Sequence, residues 1–258
     1  MRETLLPRRL WRTTEGPGWG PLPELLLILT LVTGLVDAVS ILALGRVFVA
    51  NMTGNVVFAG FAIAGAPGFS LGASLFALAG FLVGAYLGGL MTPRVGHDRA
   101  LHLRAASACE LAALAAALVV AAVSGCAGAT HGTLHLGGAA AFGTGIADAV
   151  AALLAVGMGI QNAVARALAV PDLTTTVLTM TLTGIGHDSP TGQRGHVTLG
   201  RRILVVATML AGGVAGAELA LHVGAVVPLA IATGLLALVA TGAAVAARQP
   251  APWRKAGK

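Results

Sequence analysis

Few side chains in this sequence can do chemistry, and most of them sit in or beside long apolar segments. Asp37 falls inside one segment, and Gln161 and Asn162 fall inside another. Two shorter stretches carry amides and hydroxyls. The first holds Asn51, Thr53 and Asn55; the second holds Thr174, Thr175, Thr176, Thr179, Thr181 and Thr183. Polar groups in hydrocarbon are costly, about 2.5–3.5 kcal/mol for a charge at the centre of a spanning helix. Grouped at matched places, they point to a polar cavity for a small polar or ionic solute. Asp37 suits cation binding or proton relay, while Arg46 and Arg166, which flank the short stretches, suit an anion. The candidate substrate-binding set is Asp37, Asn51, Thr53, Asn55, Gln161, Asn162, Thr175, Thr176 and Thr179. The plainer alternative is that such side chains bond between helices and cap interrupted ones.

Other chemistry finds no support in the spacing. No nucleophile–base pair is read from the sequence, so an enzyme is not expected, nor any cofactor. The run from His187 to His196 lacks metal-ligand spacing and reads as a solvated turn. Cys109 and Cys126 make no disulfide or metal framework and read as small packing residues. Glu110 is expected to pair with Arg104 or to snorkel. Asp148 falls near a helix end, and Glu218 is expected to face the interior.

The elements that must position these residues follow from composition. Of the 258 residues, 56% are hydrophobic and 10% charged, against about 25% charged in soluble domains. Mean hydropathy is +0.86. Lipid is therefore the solvent for most of the chain, and the continuous apolar runs are of helix-spanning length. Six long segments are read at about 24–44, 69–90, 104–124, 146–166, 202–222 and 225–246. Two shorter ones lie at about 47–66 and 172–186. The net charge of +6 sits in clusters between apolar segments, which argues against nucleic acid as a partner.

Fourteen of the sixteen Lys and Arg residues fall in four groups: before the first span, between the second and third, before the fifth, and after the last. The positive-inside rule puts all four groups in the cytoplasm. The loop at 125–138 and the turn near 223 carry neither residue and read as external. Six crossings fit this pattern if the two short segments enter and return, one from each side. Residues 1–22 then read as a cytoplasmic leader with Trp11 and Trp19 at the interface, 23–246 as one transmembrane domain, and 247–258 as a basic cytoplasmic tail.

An internal repeat is also legible. Gly34-Leu-Val-Asp37-Ala38-Val39 matches Gly159-Ile-Gln-Asn162-Ala163-Val164 at an offset of 125. Val49-Ala-Asn51-Met52-Thr53 matches Val177-Leu-Thr179-Met180-Thr181 at 128. Leu78-Ala79-Gly80-x-x-x-Gly84 matches Leu210-Ala211-Gly212-x-x-x-Gly216 at 132, which puts Glu218 at the position of Tyr86. Three crossings per half (about 24–124 and 146–246) would leave the second half inverted, a recurring transporter design. The glycine spacings read as close helix-packing faces, which leave room for a homo-oligomer.

Two blocks carry a family resemblance. Val36-Asp37-Ala38-Val39-Ser40 followed by Val47-Phe48-Val49-Ala50-Asn51-Met52-Thr53-Gly54-Asn55 resembles the first signature of the YoaK-like family, the domain of unknown function 1275. Met158-Gly159-Ile160-Gln161-Asn162-Ala163 followed by Val170-Pro171-Asp172-Leu173-Thr174-Thr175-Thr176 resembles the second. The likeness runs from about 24 to 246, with one basic residue, Arg166, where the family usually carries two. It implies a multi-pass protein of the bacterial inner membrane and no particular activity. The expectation is an all-α polytopic helical bundle that transports or conducts a small solute. A non-transporting scaffold or sensor subunit is the alternative.

Overall fold

The computed structural model describes residues 18–95, 98–124, 144–176, 178–187 and 193–255. Trp11 and the rest of the leader before Gly18, the loop at 125–138 with Cys126, and the core of the turn after His187 lie outside the described residues.

Long apolar runs give long helices. Six are apolar enough to span a bilayer: α1 (Leu22–Ala43), α3 (Leu71–Val95), α4 (Arg99–Val123), α5 (Thr144–Leu168), α7 (Gln193–His222) and α8 (Val226–Arg248). Two short helices lie between them, α2 (Met52–Ile63) and α6 (Leu178–His187). At 1.5 Å per residue they reach only about 18 and 15 Å, against a hydrocarbon core of about 30 Å. Among the described residues no strand forms, so the architecture is an all-α polytopic bundle.

The interruptions have local causes. Gly45 (φ 87°) and Arg46 (φ 58°) turn the chain out of α1, and residues 47–51 run without helix into α2. Ala169 (φ 50°), Asp172 (φ 62°) and Thr175 (φ 58°) do the same after α5. Pro171, which has no N–H to give, keeps that helix from continuing.

Packing fixes the direction of each helix. Gly80, Gly84 and Gly88 lie in turn against the backbone at Ala152, Val156 and Ile160, so α3 and α5 run parallel. Gly212 and Gly216 lie in turn against Leu31 and Leu35, so α1 and α7 run parallel. A Cβ on any of these glycines would meet a neighbouring atom at less than 3 Å. Absent side chains are what let the backbones meet. These five glycines are thus spent on contacts inside the chain.

The start of α1, the start of α4 and the segment after α8 gather at one end of the bundle. The Arg99 guanidinium lies 4.4 Å over the Trp19 ring and donates to the Trp253 carbonyl at 3.3 Å. Asp98 caps α4 by accepting from the N–H groups of Ala100 and Leu101 at 3.0 and 3.1 Å. It also pairs with Arg254 and bridges Lys255 through the backbone. Partial burial alone would raise the Asp98 pKa. The Arg254 hydrogen bond and charge, with the two amide donors, outweigh it and hold the carboxyl below its ordinary value.

With these contacts, α1, α4 and α7 run away from that end, and α3, α5 and α8 run toward it. The α2 segment connects two helix ends at the far side, and the α6 segment connects two at the near side. Helices α1 and α5 are central, with 67% and 56% of their apolar windows buried, against at most 33% for the other four. Outward-facing Leu82, Val83, Leu210 and Val214, each more than half exposed, form the apolar surface that hydrocarbon would cover.

The contacts also mirror one another. Helix α1 packs along α7 as α5 packs along α3; α8 packs on α1 as α4 packs on α5; α4 and α8 pack on each other. Gly34 lies against the Met209 carbonyl and the Gly213 N–H, while Gly159 lies against the Phe81 carbonyl and the Ala85 N–H. Positions 81 and 85 thus correspond to 209 and 213, an offset of 128. The glycine alignment at 132 is one helical turn away from the register the backbones adopt. At the observed register Glu218 corresponds to Leu90, not Tyr86. Contrary to expectation, Glu218 faces outward at 66% side-chain exposure and pairs with His222 at 3.2 Å.

Candidate functional site

The chain from Phe48 to Ala50, leading into α2, is held by two polar side chains. The Asp37 carboxylate on α1 accepts from the N–H groups of Val49 (3.3 Å) and Ala50 (3.2 Å). Asn55 on α2 reaches back to accept from the Phe48 N–H at 2.8 Å and donate to the Phe48 carbonyl at 2.6 Å. A helix start leaves amides without intrahelical partners, and here side chains from one neighbouring helix and from α2 itself satisfy the backbone just ahead of it. Stacked and tilted rings reinforce the hairpin: Phe48 lies 5.6 Å from Phe58, which lies 5.0 Å from Phe69. Arg46 sits 5.8 Å over Phe69.

The segment leading into α6 is held by charge instead. Asp172 pairs with Arg201 at 3.1 Å and Arg202 at 2.9 Å, both on α7. The Arg202 guanidinium also fills the space over Gly184 of α6. Sequence reasoning missed this clamp. Its traces are the Pro-Asp pair at 171–172 and the Arg pair at 201–202, thirty positions apart, with nothing in the spacing to join them.

Between the two hairpins lies a cavity of about 820 Å³. It is lined by Asp37 of α1, Asn51, Thr53 and Phe58 around α2, Phe81 of α3, Asn162 of α5, Thr176, Thr179 and Leu182 around α6, and Met209 of α7, among others. The lining follows the mirrored register. Phe48 and Thr176, Ala50 and Leu178, Asn51 and Thr179, Gly54 and Leu182, and Phe81 and Met209 are each 128 positions apart. Asp37 and Asn162 are paired by the α1–α5 offset of 125.

Six of the nine candidate residues therefore share one cavity: Asp37, Asn51, Thr53, Asn162, Thr176 and Thr179. The side chains of Asn51, Thr53, Asn162 and Thr179 have no hydrogen-bond partner among the described residues, which leaves their donors and acceptors for a solute. The other three are elsewhere. Asn55 is fully buried against Phe48. Gln161 is 2% exposed and donates to Thr33 at 2.9 Å, joining α5 to α1. Thr175 is 1% exposed beneath the α6 segment. Sequence spacing did not point to Phe81 and Met209, two apolar walls of the cavity.

The charge in the cavity differs from one expectation. Asp37 is the one ionisable side chain among its described lining residues. Arg46 lies over Phe69, and Arg166 is exposed at the end of α5, so neither offers an anion site there. Glu110 also departs from expectation. It is 1% exposed inside the bundle beside Gly157 rather than paired with the exposed Arg104.

The fold and its apolar exterior define a multi-pass membrane protein. The family model described as "Protein of unknown function (DUF1275)" matches residues 25–242, and the chain belongs to that family. It is similar to the UPF0700 transmembrane protein YoaK of Bacillus subtilis (strain 168), with 46% identity over 67 residues. That match spans 26% of this chain and 30% of the relative. No solved structure matches.

Proposed function

We propose that this protein is a small-solute transporter or channel whose binding site is the cavity between α2 and α6. The observation that carries the reading is the paired lining: the same six positions from each half of the chain surround one space, and the side chains of Asn51, Thr53, Asn162 and Thr179 face it without a hydrogen-bond partner among the described residues. On this reading the halves are inverted repeats. Helix α1 corresponds to α5 but runs the opposite way, so the short helices enter from opposite faces and meet at mid-depth. The end that gathers Trp19, Arg99 and Trp253 is the cytoplasmic face, which puts both termini inside a bacterial inner membrane. The protein itself carries out no covalent chemistry. With Asp37 as the charged group in the lining, the solute is neutral or cationic.

The test begins with purified protein and a thermal-shift screen of inorganic cations, sugars, amino acids and nucleobases. A solute that binds the folded state raises its apparent stability. Uptake of that solute into proteoliposomes is then measured for Asn51→Ala, Asn162→Ala and Thr179→Ala. Each is expected to cut flux at least about fivefold, because each removes a hydrogen bond to the solute worth about 1 kcal/mol or more. Unchanged flux in all three would reject the site. A screen without a hit, on protein that unfolds cooperatively, would favour a scaffold or sensor.

A further inference from the structure

A second cavity of about 560 Å³ opens beside the first, in the groove between α1 and α7. The two share Asp37, Phe48, Leu178 and Met209. Apart from Asp37, every described residue that lines the second cavity is apolar or glycine. One wall is Leu210, 66% exposed on the lipid-facing surface. Gly213 forms part of the floor, and a Cβ built there meets nothing within 4 Å. The space is therefore real at the scale of a side chain. The result is a chamber that carries the unpartnered amides and hydroxyls, adjoined by an apolar crevice that reaches the flank of the bundle, with one carboxylate lining both.

That shape matches an amphiphile better than a compact polar solute. We infer that the substrate is a cationic amphiphile, its head in the central cavity near Asp37 and its alkyl arm in the α1–α7 crevice. The inference rests on the transport reading above and narrows it. A cationic head is favoured because neither cavity has a Lys or Arg among its described lining residues, while Asp37 borders both. Opposite charges attract far more strongly in a low-dielectric interior than in water. An apolar arm in the crevice leaves no polar group without a partner, and each methylene it takes out of water is worth about 0.8 kcal/mol, or about fourfold in affinity.

The experiment uses full-length protein in nanodiscs and a series of probes: tetramethylammonium, butyltrimethylammonium and octyltrimethylammonium. Binding is read by thermal shift for the wild type, Gly213→Leu and Asp37→Asn. Partition into the bilayer strengthens with chain length for all three proteins alike, so the readout is the difference between their slopes. In the wild type the octyl probe is expected to exceed the methyl probe by at least about tenfold more than it does in Gly213→Leu, which fills the crevice. Gly213→Ala, a milder change, should fall between them. Asp37→Asn keeps the oxygen that accepts from Val49 and Ala50 and should weaken the whole series, the shortest member included. Equal slopes in the wild type and Gly213→Leu would overturn the inference and leave the crevice to bilayer lipid. No binding of any probe would overturn it as well. In both cases the central site still stands or falls on the uptake of the screened solute, a separate measurement with different molecules.

Discussion

At the residue scale, the polar side chains divide by whether the fold has already used them. Asn55 gives both ends of its amide to the Phe48 backbone, whereas Asn162 faces the cavity with no partner among the described residues. Asn55→Ala leaves the part-buried N–H and carbonyl of Phe48 without their side-chain partner, which costs about 1 kcal/mol or more. Its thermal unfolding midpoint should fall by several degrees, while Asn162→Ala should unfold at the wild-type temperature. Equal midpoints for the two variants would mean that Asn55 does not hold the hairpin. The sequence places both asparagines in a polar group near an interruption but does not separate these roles. Asn51 and Asn55 are one helical turn apart, and which of them turns back on the chain depends on the path of residues 47–51. Gln161 and Asn162 are adjacent, so they point about 100° apart on α5; one meets Thr33 and the other the cavity.

At the element scale, the six spanning helices are legible because each is a continuous apolar run, and the two interruptions because the segments at 47–66 and 172–186 are too polar or too short to cross. The packing register was not legible. Glycine recurs every four residues at 80, 84 and 88, and again at 212 and 216. A slide of one turn therefore matches as many glycines as the register that forms. Only the backbone contacts decide it, and they pair Gly84 with Gly212 and Gly88 with Gly216. The cost of crowding one such contact can be measured. A methyl on Gly84 would collide with the Val156 carbonyl, and overpacking of this kind costs about 1–3 kcal/mol. Gly84→Ala should lower the unfolding midpoint. Gly234→Ala on α8, where a Cβ meets nothing within 4 Å, should leave it unchanged or raise it slightly, since alanine favours helix. A Gly84→Ala protein as stable as the wild type would show that α3 and α5 do not meet there.

At the scale of the whole molecule, two ways of fastening a short-helix hairpin stand side by side. The α2 hairpin is held by amides, one carboxylate and aromatic rings; the α6 hairpin is held by an ion pair to two arginines. The difference is the one expected if α2 lies toward the external face and α6 toward the cytoplasmic face, where basic residues concentrate. The charge pattern in the sequence implies that the two hairpins enter from opposite sides. It does not imply that they meet, which depends on α1 and α5 both being central and on the close α1–α7 and α3–α5 contacts.

That meeting is the central claim, and cross-linking tests it most directly. Asn51→Cys and Thr179→Cys are combined in protein whose own Cys109 and Cys126 are replaced by alanine, and the pair is treated in membranes with a short bifunctional thiol reagent. Because both positions line one cavity, the account predicts an efficient cross-link within a single chain. No cross-link, with each cysteine still reacting singly with a small thiol reagent, would contradict it.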